Sequence, residues 1–597
     1  MKKFSLIFMS VLILSLVGLP SCRLKYESAQ LSKSSTETSP FRAEIPEDKR
    51  AALGHRVRLA ALDTKSWHPL EQTRRANTAI IRLVYRGLFF LDSNEHLAAD
   101  LAESAAFSED GKQLTIGLRK DLSYADGRRI TAEDCAASLV YYRRMQLQAA
   151  DDERDFAEVE VVRPATKSGQ EVLDELAGGA EVDSDAGGEI QEPEADLGSA
   201  DFRLPGQLYP ETDLLGLEAL RALESVEILD TLTLRLHFVR YVPEMIYRLD
   251  FPILPAADLE KGLETFPPTG SFAISQRHAD GSLELTSRDQ STHLQSIEVR
   301  TYSSEEKILR ALSDDQVDIV YLEALAFHNF SSRRDLRNIP TVGTSYHLLL
   351  PGNDASSLFQ NLEVRDAFFR LWLKHPEYAG RISGLEPSPF PLRANSELWP
   401  YVRKLSLKAQ NGPNFHLDEL TSLRMVAPNR PLVRDHCRWI RDLFFELNID
   451  LAITYYDEPD FSGVVKGGDY DLAYLVLDLD YPFEPASFYT ELAYYRSDFS
   501  EAMAAREEQL RTLADFQRQR LSILEQTAFR HDILERIAQD YFELLTSVKF
   551  YGLGYVTEGM LLGPRVLEYF TPLPNDPYYH LKEIHVWPKS SSQSSSP

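Results

Sequence analysis

The chain of 597 residues is poor in cysteine: Cys22, Cys135 and Cys437 are all it has. Three thiols exclude a disulfide scaffold and a zinc site of four thiolates. They leave Cys135 and Cys437 either as one bridge or as two small buried thiols. Basic residues are also in deficit, with 64 Lys plus Arg against 91 Asp plus Glu and a formal net charge of −27. An acidic surface repels phosphate backbones, which argues against a nucleic-acid partner. None of the 14 histidines forms an i, i+4 pair, so a helix-borne zinc site has no support. G-x-S-x-G, H-E-x-x-H, C-x-x-C and the phosphate-binding G-x-x-x-x-G-K-[ST] loop are all missing. Close carboxylates such as Asp478 and Asp480 could serve a hydrolase. Among 91 acidic residues such proximity says little, and no enzymatic activity is expected.

Long apolar runs are missing too, except at the start. Lys2 and Lys3 precede an apolar stretch from Phe4 to Leu19, followed by Pro20, Ser21 and Cys22. A basic start, a short apolar stretch and small residues at the cut describe a secretory leader. A membrane span needs ~20 apolar residues, so this stretch is short for one. Leu19-Pro20-Ser21-Cys22 resembles the lipobox of bacterial lipoproteins, in which the cysteine becomes the lipid-bearing N-terminus. Pro20 departs from that pattern, and a plain signal peptide is the alternative. Residues 1–21 are thus read as a leader and Cys22 as the lipidation site. Residues 22–53, rich in Ser, Thr, Lys and Glu, read as a flexible tether. Residues 589–597 read as a low-complexity tail.

What is present is ordinary globular composition, 43% hydrophobic and 26% charged, enough for two to four domains. An acidic insert at about 165–205 interrupts it. Its residues 171–201 contain no Lys or Arg, which predicts a solvated loop. Asp183-Ser184-Asp185 could offer carboxylates to calcium, but no twelve-residue loop closed by a glutamate follows.

Elsewhere strand and helix patterns alternate. Leu114, Ile116 and Leu118 alternate after a turn at Ser108–Gly111, and Tyr124–Gly127 forms a second turn. Thr131 and Asp134 predict a capped helix through Met145. A strand at Ile297–Thr301, a helix through Ile308, Leu309 and Leu312, and a strand at Val317–Tyr321 make a βαβ unit. Val433, Cys437, Ile440, Phe444 and Leu447 share a helical face, and Ile449–Tyr455 alternates as a strand. Leu472–Leu477 is continuously apolar, as in a strand covered on both faces. Asp478 and Asp480 follow where that strand emerges, and ligands gather at the carboxyl ends of strands in open α/β sheets. Gly552-Leu553-Gly554 lacks the third glycine and the helix of a dinucleotide loop, so it reads as a strand or turn pair. His531 reads as a solvated residue.

Several motifs stand in a familiar order. Leu83-Val84-Tyr85-Arg86-Gly87-Leu88-Phe89 leads to Leu97–Ala102, Phe107-Ser108-Glu109-Asp110-Gly111, Leu118-Arg119, Asp126-Gly127 and Ile130-Thr131-Ala132-Glu133-Asp134. Pro268-Thr269-Gly270-Ser271-Phe272, Val317-Asp318-Ile319, Val364-Arg365-Asp366-Ala367 and Asp469-Tyr470-Asp471-Leu472 follow. Together, over about residues 57–588, these resemble the solute-binding lipoproteins of oligopeptide and dipeptide ABC importers, the family 5 extracellular solute-binding proteins. Ser287–Leu294 departs from the pattern, lacking the family's usual asparagine, tyrosine and tryptophan.

The resemblance implies an α/β, two-lobed periplasmic-binding-protein-like fold with an extra N-terminal subdomain. The first lobe would span 54–343 with the insert, the second 345–552, and 553–588 would return to the first. The chain would cross between lobes near Thr344–His347 and Tyr551–Tyr555. It further implies a monomer that closes a cleft around a peptide and delivers it to permease subunits and their ATPase. The protein would work outside the cytoplasm, on the periplasmic or cell-surface side, anchored in the membrane by lipid, without metal or cofactor. In the family an aspartate after the buried strand of the second lobe meets the peptide's ammonium. That maps to Asp480, with Asp478 as the second choice. The opposing segment is Asp63–Pro69: backbone contacts are expected from Thr64, Lys65 and Ser66, with Trp67 either lining the cleft or in the core. Tyr346 is a candidate cleft wall. Nickel chelate, haem or an oligosaccharide is the alternative cargo on the same fold. A degenerate surface lipoprotein in adhesion or signalling is the remaining reading.

Overall fold

Alternating apolar residues mark some strands, such as Gln113–Leu118 and Thr233–Phe238, and nearly continuous buried runs mark others, such as Leu472–Asp478 and Tyr551–Leu562. In the computed structural model the described residues are 54–149, 159–163, 214–495 and 534–587, apart from short stretches within those ranges. Cys22, Lys65, Asp480, His531 and the acidic residues 171–201 lie outside the described residues. In chain order the described strands are β1 Arg56–Leu62, β2 Phe89–Leu91, β3 Leu97–Ala99, β4 Ala102–Phe107, β5 Gln113–Leu118 and β6 Glu160–Val162. Then come β7 Leu223–Asp230, β8 Thr233–Phe238, β9 Phe272–Arg277, β10 Leu283–Ser287, β11 Ser296–Tyr302 and β12 Ile319–Leu322. The last are β13 Arg337–Pro351, β14 Leu385–Pro387, β15 Thr421–Pro428, β16 Ile449–Tyr456, β17 Leu472–Asp478 and β18 Tyr551–Leu562.

The first helix forms where its cap predicted it. In α1, Ala132–Ala149, Thr131 N donates to Asp134 Oδ2 (2.9 Å) while Asp134 N donates to Thr131 Oγ1 (3.4 Å). This reciprocal cap satisfies two of the helix's four unpaired amides. Helix α2, Glu305–Ser313, is capped by Ser304, and α3, Pro431–Glu446, opens on a proline at its first position. Cys135 and Cys437, on α1 and α3, are free and buried.

Eleven strands form one sheet in the order β16-β15-β17-β13-β18-β12-β1-β11-β10-β9, with β14 added beside β18. A second sheet, β4-β5-β8-β7-β6, carries α1 and forms the extra subdomain. Its Leu114, Ile116 and Leu236 share one apolar core with Val57, Leu59 and Val299 of the large sheet. The βαβ unit β11–α2–β12 exists, but β1 lies between its strands and is parallel to both. A crossover over an intervening strand leaves no trace in local periodicity.

The large sheet repeats one design on either side of β13 and β18. On one side β11, β1 and β12 run parallel and β12 meets β18 antiparallel. On the other, β16, β15 and β17 run parallel and β17 meets β13 antiparallel. The aspartate that opens each innermost parallel strand plays the same role. Arg58 N donates to Asp318 Oδ2 (2.8 Å), and Asp318 N donates back to Arg58 O (2.8 Å). Arg424 N donates to Asp471 Oδ2 (2.7 Å), and Asp471 N donates back to Arg424 O (3.0 Å). Each device locks two parallel strands in register, and each motif was visible in sequence.

The apolar packing divides with the sheet. Strand β13 contributes Tyr346, Leu348, Leu349 and Leu350 to the second core, whereas its earlier Ile339 packs on the first. Strand β18 serves the second core through Val556 and the first from Met560. The sequence reading placed the two crossings near Thr344–His347 and Tyr551–Tyr555. Each buried leucine on these strands contributes roughly 1.5–3 kcal/mol.

Candidate functional site

The register of the large sheet fixes where its strand ends meet. Leu322, the last residue of β12, pairs with Gly559, and Asp478, the last residue of β17, pairs with Ser345. Gly559 lies on the stretch where β18 changes cores, and Ser345 lies just past the stretch from Ile339 to Val342 where β13 does. Since β1 and β11 run parallel with β12, and β15 and β16 with β17, the carboxyl ends of all six strands converge there. In open α/β sheets ligands bind outside the carboxyl ends of strands.

At this convergence β13 and β18 pair antiparallel, with register shifts between Val342 and Tyr346 and between His347 and Leu348. Such bulges bend and twist a ladder. Strand β14 lies across the same place: Glu386 pairs with Tyr555 and Pro387 with Gly554. The buried Glu558 sits on the crossing stretch of β18 and accepts from the Tyr321 hydroxyl. A Cβ at Gly343 would lie 2.5 Å from Glu558 Oε1, so the two side chains would have to share this space.

The residues singled out in sequence fall as follows. Asp478 is the last residue of β17 and half-buried, and the chain continues as Leu479 N donates to Thr344 O (3.0 Å). Asp480, two residues on, is outside the described residues, as is Lys65. Strand β1 ends at Leu62, and the next residues form a hook instead of continuing the strand. Thr64 Oγ1 donates to Ser66 O (2.7 Å), and His68 N donates to Ser66 Oγ (2.9 Å). Short hydroxyl side chains bonding nearby backbone favour such turns over strands. Trp67 belongs to the first apolar core, 5% exposed, and its indole N–H donates to Gly281 O (2.7 Å). Tyr346 is wholly buried; its hydroxyl donates to Ser388 O (3.0 Å) and its ring lies 4.9 Å from that of Tyr555.

Sequence reasoning missed three residues at the convergence: Glu558, Tyr321 and Arg393. The first two lie on strands whose partners are distant in sequence. Arg393 lies in irregular chain with no periodicity to mark it. Among the described residues no group of three or more His, Cys, Asp or Glu side chains could hold a metal ion.

Residues 96–371 match the family described as bacterial extracellular solute-binding proteins, family 5. Over these residues the chain is similar to that family, whose matching model is described as its middle part. Solved structures agree on the fold. It is similar to the ABC transporter substrate binding protein CtaP of Listeria monocytogenes, with 15% identity, 90% of this chain and 100% of that chain covered, and a TM-score of 0.55. The periplasmic murein tripeptide binding protein MppA, in its unliganded open form, gives 16% identity, 90% and 98% coverage, and a TM-score of 0.56. HbpA2 of Haemophilus parasuis gives 13% identity, 87% and 98% coverage, and a TM-score of 0.56. Extracellular solute binding is what the description of the matched family gives for those residues. No described helix is long and apolar enough to cross a membrane.

Proposed function

We propose that the protein captures peptides between two lobes and hands them to a permease. The observation that carries this reading is the convergence of six strand ends on the paired crossing strands. A carboxylate ends one of them, Asp478, and a second, Asp480, follows it. In this reading the lobes meet at a hinge through residues 339–342 and 556–560, where the apolar packing changes from one core to the other. Closure about such a hinge buries the ligand. Backbone groups of Thr64, Lys65 and Ser66 supply contacts common to every peptide. Asp480 neutralises the ligand's ammonium, with Asp478 beside it. A lipid on Cys22 holds the protein at the outer side of the membrane.

Calorimetry with trialanine and N-acetyl-trialanine tests the assignment. Removing one partner of a buried pair costs ~3–5 kcal/mol, or roughly a hundredfold or more in affinity. Asp480→Ala should therefore weaken the free-amine peptide by about that factor and leave the acetylated peptide nearly unchanged. Equal losses for both would remove the ammonium role. A wild-type protein that binds no peptide would remove the peptide reading.

A further inference from the structure

Glu558 is a carboxylate, 3% exposed, in the middle of the stretch where β18 changes cores. Its two oxygens face different strands. Oε2 accepts from the hydroxyl of Tyr321, which is on β12 and belongs to the first apolar core. Oε1 is seated against Gly343 on β13, where a Cβ would lie 2.5 Å from it. The neighbours of Glu558 along β18 divide in the same way: Val556 belongs to the second core and Met560 to the first.

Gly343 is held from another side as well. Its carbonyl accepts from Nε and Nη2 of the buried Arg393, each at 3.4 Å, and the same Nη2 donates to Leu479 O (3.2 Å) just past β17. The β13–β18 ladder is interrupted at this point, between Val342 and Tyr346. With the ladder broken, side-chain contacts are left to fix how the two strands cross. A buried carboxylate oxygen that loses a donor is costly, so a bend that parts β18 from Tyr321 is opposed.

We infer that Glu558 is a positioning residue for lobe closure: its bond to Tyr321 and its seat on Gly343 set the resting angle of the hinge. The inference rests on the two-lobed, hinged reading above and not on which solute is bound. A carboxylate with a merely structural role would alter stability alone. A hinge residue should alter the spread of distances between the lobes while each lobe keeps its own fold.

The test uses the full mature chain with spin labels at Glu306→Cys on α2 and Asp442→Cys on α3, both exposed, and with Cys22→Ser; Cys135 and Cys437 are buried. Pulsed electron resonance then reads the distance between the labels in the free protein. Tyr321→Phe and Glu558→Leu should each widen its distribution by about 1.5-fold or more, since each lifts a restraint on the equilibrium. The double variant should be no wider than Glu558→Leu alone, because both changes remove one interaction. Glu558→Gln keeps an acceptor for the hydroxyl and should stay near wild type. Unchanged widths in Tyr321→Phe and Glu558→Leu, additive widths in the double variant, or a Glu558→Gln as wide as Glu558→Leu would overturn the inference. Hydrogen exchange in α1 and α3 should stay as in wild type in every variant; faster exchange there would show general loosening and would also overturn it. Trialanine separates this inference from the peptide reading. If the peptide shifts nothing in wild type while the free-protein widths respond as stated, the peptide reading falls and the hinge role stands.

Discussion

At the residue scale, Gly552 and Gly554 show what a short motif can mean once the fold is known. They are no part of a nucleotide loop. They are the positions where β14 and Tyr346 come closest to β18. A Cβ at Gly552 would lie 2.0 Å from the Tyr346 hydroxyl and 2.5 Å from Pro389 O. At Gly554, which has φ +145°, a Cβ would lie 2.2 Å from Glu386 O. The neighbours at both positions include backbone, which cannot swing aside. Overpacking of this kind costs about 1–3 kcal/mol, and occasionally more. Gly552→Ala should therefore lower the urea midpoint by the equivalent of at least ~2 kcal/mol, read by far-ultraviolet circular dichroism. An unchanged midpoint would mean that Tyr346 and Pro389 do not crowd this position. The pair was legible as strand glycine from sequence. Its reason was not, because the residues that crowd it are about 160 to 200 positions away.

At the scale of elements, the paired devices around Asp318 and Asp471 differ in one respect that sets their worth. Asp318 is fully buried and also accepts from Arg58 Nε and Nη2 and from Arg565 Nη1. Asp471 lies near a half-exposed Arg424, at 3.7 Å. Losing Asp318 strands two largely buried guanidinium groups, at ~3–5 kcal/mol. Losing Asp471 chiefly leaves a backbone amide without its acceptor, at ~1–3 kcal/mol. Urea titration of Asp318→Ala and Asp471→Ala should show the first as clearly the more damaging; a reversed order would refute this accounting. Long elements with strong period were legible: α1, α3 and β17 stand where the pattern put them. Strand β14 was not, since Leu385-Glu386-Pro387 is too short to alternate and includes a proline. The hook after β1 was hidden for a different reason: its shape comes from hydroxyl-to-backbone bonds, which apolar periodicity does not record.

At the scale of the whole molecule, stability should respond to acid through the interior of the second core. His347 on β13 and His436 on α3 both contact the Tyr474 hydroxyl on β17 through Nδ1, at 2.6 and 2.7 Å. A single hydroxyl proton serves only one ring, so the other ring must donate. Burial first, and then the charges of His436 and Arg430, push the His347 imidazole well below its usual range. The folded state keeps that ring neutral, while the unfolded chain binds a proton near pH 6.5. Stability is therefore intact above about pH 6.5 and falls as pH drops below it, by ~1.4 kcal/mol per unit for each such proton. Urea midpoints at several pH values between 7.5 and 5.5 should show this fall in wild type and a shallower one in His347→Gln. Parallel slopes would show that His347 contributes nothing. The two-lobed plan itself was legible because motif order survives where local geometry does not. The strand order was not, because it depends on which distant partners each edge meets. That order has one more consequence. Tyr346 and Tyr555 face each other across the ladder, where opposed backbones lie only about 5 Å apart. The two hundred residues between them leave and return through the same doorway, so a short glycine splice could excise that half or graft it onto another scaffold.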